Sequence, residues 1–270
     1  MFQQVLNGMA MNMPSSADDY EKDGLLYCGK CNTPKQTFIE GFGRNMPVPC
    51  KCRKEQEQAE KEREELLKKQ ARINSLRNSS LLGVRYRNAT FENTETEHSI
   101  EFAKIYNRCQ RYCEVADAVL KNGTGIFLFG TNGTGKTRLT ACMGNELMQN
   151  NYTVLFTNFA EITKRVFKDD EFIEKLAKIE FLFIDDFGTE KVTKGSEDLW
   201  MQEKVFEVVN KRYNECKPII FSSNYSLKEL IEDRGVAKKT IDRIAEMCEV
   251  LKLNGESYRL TAMRKREKLF

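Results

Sequence analysis

A chain of 270 residues has room for one or two domains and for one sizeable core. Its 43 lysines and arginines stand against 40 acidic residues, a formal net charge of +3 that excludes a uniformly basic nucleic-acid coat protein but permits a local basic patch. No apolar run approaches the roughly 18–20 residues needed to cross a bilayer, and residues 1–20 have neither the basic start nor the apolar centre of a signal peptide. Nine cysteines, an odd number, read as reduced thiols in such a chain, so a cytoplasmic location without membrane contact is expected.

Residues 1 to about 24 read as a flexible or weakly helical lead-in. Cys28-Gly29-Lys30-Cys31 and Cys50-Lys51-Cys52 follow, two close cysteine pairs separated by a loop of eighteen residues. Four thiolates suit tetrahedral Zn²⁺, and a close pair lets one tight turn supply two ligands. The second pair has one intervening residue where the common ribbon spacing has two. A disulfide pair or four unrelated cysteines are the competing readings; the reducing compartment and the scatter of the other five cysteines disfavour them. His98, the sole histidine, reads as a surface residue. A module this small cannot build a real core, so bound metal is expected to supply its folding energy.

Residues 53–78 are nearly all polar helix formers of mixed charge, which predicts a solvated helical linker with i,i+4 charge pairs. The predicted organisation is therefore a cysteine-rich module at 1–52, a linker at 53–80 and a larger domain at 81–270. Residues 81–94 read as loop. Residues 98–121 read as a helix with Phe102, Ile105, Tyr106, Cys109 and Cys113 on one face.

The strand Gly125–Phe129 (GIFLF) then leads into Gly130-Thr131-Asn132-Gly133-Thr134-Gly135-Lys136-Thr137, and a helical pattern to Gln149 leads out. This is the spacing of a phosphate-binding loop. Glycines let the backbone turn tightly and aim its N–H groups at phosphate oxygens. The helix that follows adds the positive end of its dipole. Lys136 is expected to reach the β- and γ-phosphates and the Thr137 hydroxyl to ligate Mg²⁺.

Further strands are predicted at 152–157, 181–184 and 218–223, with helices over about 159–178, 198–214 and 240–251 between and after them. Alternating strands and helices predict an α/β fold with a parallel sheet covered on both faces. The apolar strand Phe181–Ile184 ends in Asp185 and Asp186. Carboxylates at that end of a parallel sheet face the phosphate crevice. Asp185 would hold Mg²⁺ through water and Asp186 would polarise the attacking water. Asn224, at the tip of PIIFSS, is a candidate for positioning that water, and an ordinary turn asparagine is the alternative. In the helix expected at 240–251, Ile241, Ile244, Ala245, Cys248 and Leu251 form the buried face. Arg243 lies about 200° from Ile241 around that helix, so spacing alone makes it a surface arginine.

The ordered set GTNGTGKT, FLFIDDFG, IIFSSN, IDRI and SYR, with Phe91-Glu92-Asn93 before it, resembles the DnaC/DnaI family of replicative helicase loaders among the AAA+ ATPases. The resemblance covers about residues 81–260 and, more loosely, the cysteine module. It implies Walker A roles for Lys136 and Thr137, Walker B roles for Asp185 and Asp186, and a sensor 1 role for Asn224. It also implies that Arg243 is an arginine finger reaching a neighbouring subunit's ATP, and that Arg259 is a sensor 2 arginine. No separate lid domain is expected. In such ATPases the segment between the second and third strands contacts single-stranded DNA. Here Lys164, Arg165 and Lys168 would track phosphates and Phe167 would stack on a base. An amphipathic helix with a basic face has the same pattern.

The resemblance thus implies an ATP- and Mg²⁺-dependent ATPase that places a hexameric replicative helicase on single-stranded DNA, by self-association or on the helicase as a template. Its zinc module would dock on the helicase. An IstB-type transposition helper ATPase shares most of the core motifs and is the alternative; the cysteine module and long linker favour the loader. A small-molecule P-loop kinase lacks the arginine-bearing lid it would need. A stand-alone nucleic-acid zinc knuckle would want more aromatic and basic residues than the module has.

Overall fold

The computed structural model describes residues 16–96, 99–167, 169, 171–189, 195–255 and 257–258. Contacts divide the chain into two compact units, residues 1–68 and 69–270.

In the first unit, β1 (Tyr20–Lys22) pairs antiparallel with β2 (Leu25–Tyr27), and β3 (Gln36–Ile39) with β4 (Arg44–Pro47). Asp23 and Gly24 turn the first hairpin with φ of 53° and 74°, the conformation that favours Asp-Gly between two strands. A hairpin thus begins within the stretch read as lead-in. A bridge between Tyr27 and Pro34 joins the two hairpins.

Helix α1 (Lys51–Ser79) then begins, and Ile73 is its one buried residue. The linker expected at 53–78 is a helix, but its last turns belong to the second unit. There Ile73 enters the core, Lys69 pairs with Glu180 at 3.3 Å, and Arg72 donates to the Lys178 carbonyl at 3.4 Å.

The second unit carries a five-stranded sheet in the order β6-β7-β8-β5-β9. Its strands are β5 (Gly125–Phe129), β6 (Val154–Asn158), β7 (Phe181–Asp185), β8 (Ile219–Ser223) and β9 (Cys248–Lys252), all parallel. Alternate residues of each strand feed two separate apolar clusters. Ile126, Leu128, Phe181 and Phe183 pack on one face under α2 (Ile100–Glu114), α3 (Ala116–Asn122) and α4 (Lys136–Gln149). Phe127, Leu182, Ile184 and Phe221 pack on the other. That second face is covered by α5 (Phe159–Val166), α6 (Phe172–Ala177), α7 (Ser196–Asn214), α8 (Leu227–Glu232) and α9 (Lys238–Met247). Burial on both faces is why β5, β6, β7 and β8 are mostly apolar, whereas the edge strand β9 carries Glu249 and Lys252.

Three expected helices differ in extent. The pattern over 98–121 is two helices that break at Val115; Ser99 caps the first by accepting from Phe102 N. The pattern over 159–178 is also two, with Asn158 capping the first through Glu161 N. The helix expected at 240–251 ends at Met247, and Cys248–Lys252 forms an edge strand paired with β5. Ile241 and Ile244 are buried as expected, whereas Ala245 is exposed. Pairing with β5 overrides a helical period that the apolar residues would have continued.

One buried charge ties four elements together. Arg212, on α7, has no exposed surface. It donates to the carbonyls of Leu176 (2.6 Å), Ile179 (2.8 Å), Glu180 (3.0 Å) and Pro218 (2.7 Å). These carbonyls end α6 and begin β7 and β8. Burial lowers the guanidinium to about 9, which leaves it charged at neutral pH. Arg212→Met would strand four carbonyls in the interior and cost about 3–5 kcal/mol. A melting temperature lower by about 10 °C is expected, and an unchanged melting curve would show that these bonds contribute nothing net.

Candidate functional site

Between the end of β5 and the start of α4, Gly130, Gly133 and Gly135 hold φ of 149°, 82° and 100°. All three positions are also closed to a side chain, Gly135 by Phe102 Cε2 at 2.9 Å. A Cβ on Gly130 would fall 1.9 Å from the Leu253 carbonyl oxygen, and one on Gly133 would fall 2.1 Å from Ser257 Oγ. The chain following β9 therefore crosses directly over the loop. It is fixed there by Leu253 N donating to Phe129 O at 2.7 Å and Tyr258 N to Gly133 O at 3.0 Å.

No side chain caps α4, whose N-cap is Gly135 in the left-handed region. Its first amides and the positive end of its dipole meet the loop, an arrangement suited to an anion. Lys136 is buried and its Nζ donates to the Gly130 carbonyl at 2.9 Å and the Thr131 carbonyl at 2.8 Å. Thr134 Oγ1 donates to Thr131 O at 2.9 Å, and Thr131 and Asn132 are exposed at the tip.

Asp185, the last residue of β7, faces this loop. Thr137 Oγ1 donates to its Oδ1 at 3.4 Å, and the buried Ser222 hydroxyl of β8 donates to the same oxygen. Burial pushes the Asp185 carboxyl up; the Ser222 hydroxyl opposes this, the Asp186 charge reinforces it, and the Thr137 hydroxyl opposes it weakly. Two hard oxygens this close, one an anion, are a donor set that fits Mg²⁺. Asp186 is exposed with φ 51°, and its N–H donates to Ser222 Oγ at 3.1 Å. Asn224, just past β8, is half-buried and its side chain makes no hydrogen bond among the described residues.

The strand ends thus bring together Gly130–Thr137, Asp185, Asp186 and the strand leading to Asn224. Arg243 stands apart on α9. Its Nε donates to Asn210 at 3.3 Å, its guanidinium lies 4.5 Å over the Tyr213 ring, and it makes no hydrogen bond to the loop. Of the residues expected to touch DNA, Lys164 is exposed. Arg165 pairs with Glu161 at 2.5 Å. Phe167 is 80% exposed, edge-on to Trp200. Lys168, Arg259 and His98 lie outside the described residues.

Sequence reasoning missed three supporting groups. Ser222 was visible only as part of the apolar strand before Asn224. Arg234 holds the chain after Asp186 by donating to the carbonyls of Gly188 and Thr189. Arg138 joins α4 to the Phe91-Glu92-Asn93 stretch through the Asn93 carbonyl, at 2.7 Å.

In the first unit, the sulfurs of Cys28, Cys31, Cys50 and Cys52 all lie within 4.8 Å of one another. Two separations are 3.6 Å (Cys28–Cys52) and 3.3 Å (Cys50–Cys52), near the ~3.8 Å set by tetrahedral Zn–S bonds of ~2.3 Å. None of the four is in a disulfide. Backbone amides of Cys31 and Lys30 lower Cys28, and the Thr33 hydroxyl leads in lowering Cys31 to about 5. The neighbouring sulfurs push Cys52 up to about 12. Asp19 braces the knuckle by accepting from Gly29 N at 3.2 Å and pairing with Lys35.

The IstB-like ATP binding protein family matches residues 40–266. A protein of Sinorhizobium fredii described as an insertion sequence ATP-binding protein is 30% identical over 152 residues, 53% of this chain and 49% of its own length. The replicative helicase loader DnaI of Bacillus subtilis is 29% identical over 180 residues, 60% of this chain and 53% of the loader. The chain thus spans about half the length of these relatives. Among solved structures, the DnaC helicase loader superposes with a TM-score of 0.56 at 20% identity, covering 63% of this chain and 99% of that one. The replication initiator DnaA bound to AMPPCP and single-stranded DNA gives 0.53 at 21% identity, covering 70% and 56%. The fold is that of the AAA+ P-loop NTPases. No helix among the described residues is long and apolar enough to cross a membrane.

Lys136→Ala is expected to weaken binding of a fluorescent ATP analogue by about ten- to a hundredfold, the worth of a hydrogen bond to a charged group. Unchanged affinity in a folded variant would remove Lys136 from the phosphate site.

Proposed function

The chain belongs to the IstB-like ATP-binding family, and on that premise we propose that it is a magnesium-dependent ATPase that binds a hexameric replicative helicase and delivers it to single-stranded DNA. One observation carries the choice of the loader: a four-cysteine cluster precedes the nucleotide-binding core. The family match begins at residue 40, so Cys28 and Cys31 precede it while Cys50 and Cys52 fall within it. In this reading Cys28, Cys31, Cys50 and Cys52 hold zinc, and the module docks on the helicase. The strands of its hairpins are only three or four residues long, and cysteines make up the buried apolar residues among its described positions. Bound metal would therefore supply much of its folding energy.

At the nucleotide site, Lys136, the loop amides and the start of α4 bind the phosphates. Thr137 and Asp185 hold magnesium, which when bound neutralises developing charge on the phosphate oxygens. Asp186 polarises the attacking water and Asn224 positions it. Arg243 acts on the nucleotide of a neighbouring subunit, which accords with its half-exposed place on α9 and its separation from its own loop. Arg259 serves as the sensor 2 cation. Lys164, Arg165, Phe167 and Lys168 meet the single strand, with the exposed ring of Phe167 supporting a stacking role.

The likeness to the insertion-sequence protein favours a second reading, a transposition helper that acts on a transposase. Affinity capture from the native host separates the two. A co-purifying replicative helicase, with about one zinc per chain, supports the loader. A transposase, or a chain without zinc, overturns it. For the subunit-bridging role, Arg243→Ala should keep nucleotide affinity within about twofold while hydrolysis in the assembled complex falls about a thousandfold. Equal loss of binding and hydrolysis would place Arg243 in its own subunit's site.

A further inference from the structure

We infer that Ser222 is the positioning residue for the magnesium site: its hydroxyl fixes the Asp185 carboxylate and the Asp186 turn in one arrangement. This rests on the reading of Asp185 as a magnesium ligand.

The direction of the hydrogen bonds carries the argument. A serine hydroxyl has one proton to donate and lone pairs to accept with. Ser222 Oγ accepts from Asp186 N at 3.1 Å, which occupies a lone pair. Its single proton goes to Asp185 Oδ1. The chain is thus ordered, from the amide of Asp186 through the hydroxyl to the carboxylate. Such an order commits the hydroxyl proton to Asp185 Oδ1 and fixes that oxygen as its acceptor. Thr137 Oγ1 reaches the same oxygen at 3.4 Å. Two hydroxyls converging from β8 and α4 on one oxygen restrict rotation of the carboxylate.

Ser222 is 1% exposed, so water does not substitute for it freely. It also holds Asp186, whose φ of 51° is uncommon for a residue with a side chain. Its main chain bonds the same turn separately, with Phe187 N donating to the Ser222 carbonyl at 2.8 Å. Removing the hydroxyl therefore leaves the strand pairing and that main-chain bond in place. A loss of metal affinity is expected without unfolding.

Ser222→Ala and Ser222→Thr in the full chain test the role. The readout is binding of a non-hydrolysable ATP analogue across a magnesium titration and in EDTA, with hydrolysis measured in parallel. Ser222→Ala should raise the magnesium concentration for half-maximal binding by about tenfold, one charge-assisted hydrogen bond, with affinity in EDTA unchanged. Ser222→Thr, which keeps the hydroxyl, should restore the wild-type titration. A wild-type titration for Ser222→Ala, or an equal loss in EDTA, would overturn the inference while leaving the ATPase reading intact. A wild-type chain whose nucleotide binding ignores magnesium would overturn the reading of Asp185, and the inference with it.

Discussion

What surrounds the phosphate loop depends on the two partners of β5. On one side β8 pairs in register from Ile126 opposite Ile220 to Phe129 opposite Ser223, and Gly130 N continues the ladder onto the Ser223 carbonyl at 3.2 Å. On the other side β9 pairs from Gly125 to Phe129 and carries Leu253 onto the Phe129 carbonyl. Parallel strands end at one edge, where the chain must leave the sheet as loops. The loop therefore opens between the Ser222–Asn224 end of β8 and the chain after β9, with Asp185 one strand further on. Slipping β8 by one residue would turn Ser222 to the other face and dissolve its bond to Asp185.

Motifs made of consecutive residues are legible in the sequence alone, because their chemistry needs those neighbours in the chain. GTNGTGKT and FLFIDD are of this kind, and the fold puts Thr137 beside Asp185. Edge strand β9 was not legible. Ile241, Ile244, Cys248 and Leu251 keep a helical period straight through the point where the helix ends. What ends it is pairing with β5, more than a hundred residues earlier, and local periodicity carries no trace of that. Arg212 was hidden for a similar reason. In sequence it is one more basic residue in the last turn of a helix, and its four carbonyl partners come from elements that only the fold brings near.

The irregular cysteine spacing has a local explanation that sequence reasoning lacked. Cys50 immediately precedes α1, and its carbonyl accepts from Lys54 N at 3.0 Å. Cys52 lies in the first turn. The helix start brings both sulfurs round to the cluster, so one intervening residue suffices where a knuckle uses two. Cys28 and Cys31 form the knuckle itself, where Gly29 is required by contact: a Cβ there would fall 1.9 Å from the Asp18 carbonyl oxygen. The spacing that looked imperfect for a zinc ribbon is that of a tight turn facing the start of a helix.

Charge balance bears on why a second chain would be needed at the nucleotide. Among the described residues, Lys136 is the cation within the loop. Arg138 is turned to Asn93, Arg234 to the carbonyls of Gly188 and Thr189, and Arg243 to Asn210 and the Tyr213 ring. In the proposed reading Lys136, Arg259 and one divalent ion face the triphosphate, and transfer of its terminal phosphoryl spreads further charge over the equatorial oxygens. A guanidinium held half-exposed on α9 costs its own subunit little, since its ion pair with Glu246 is long, at 3.8 Å, and open to solvent. The same side chain brought against another subunit's phosphates would be desolvated and would act where its charge counts most. In the proposed reading, this separation would leave hydrolysis slow until a neighbouring subunit brings its Arg243 to the phosphates.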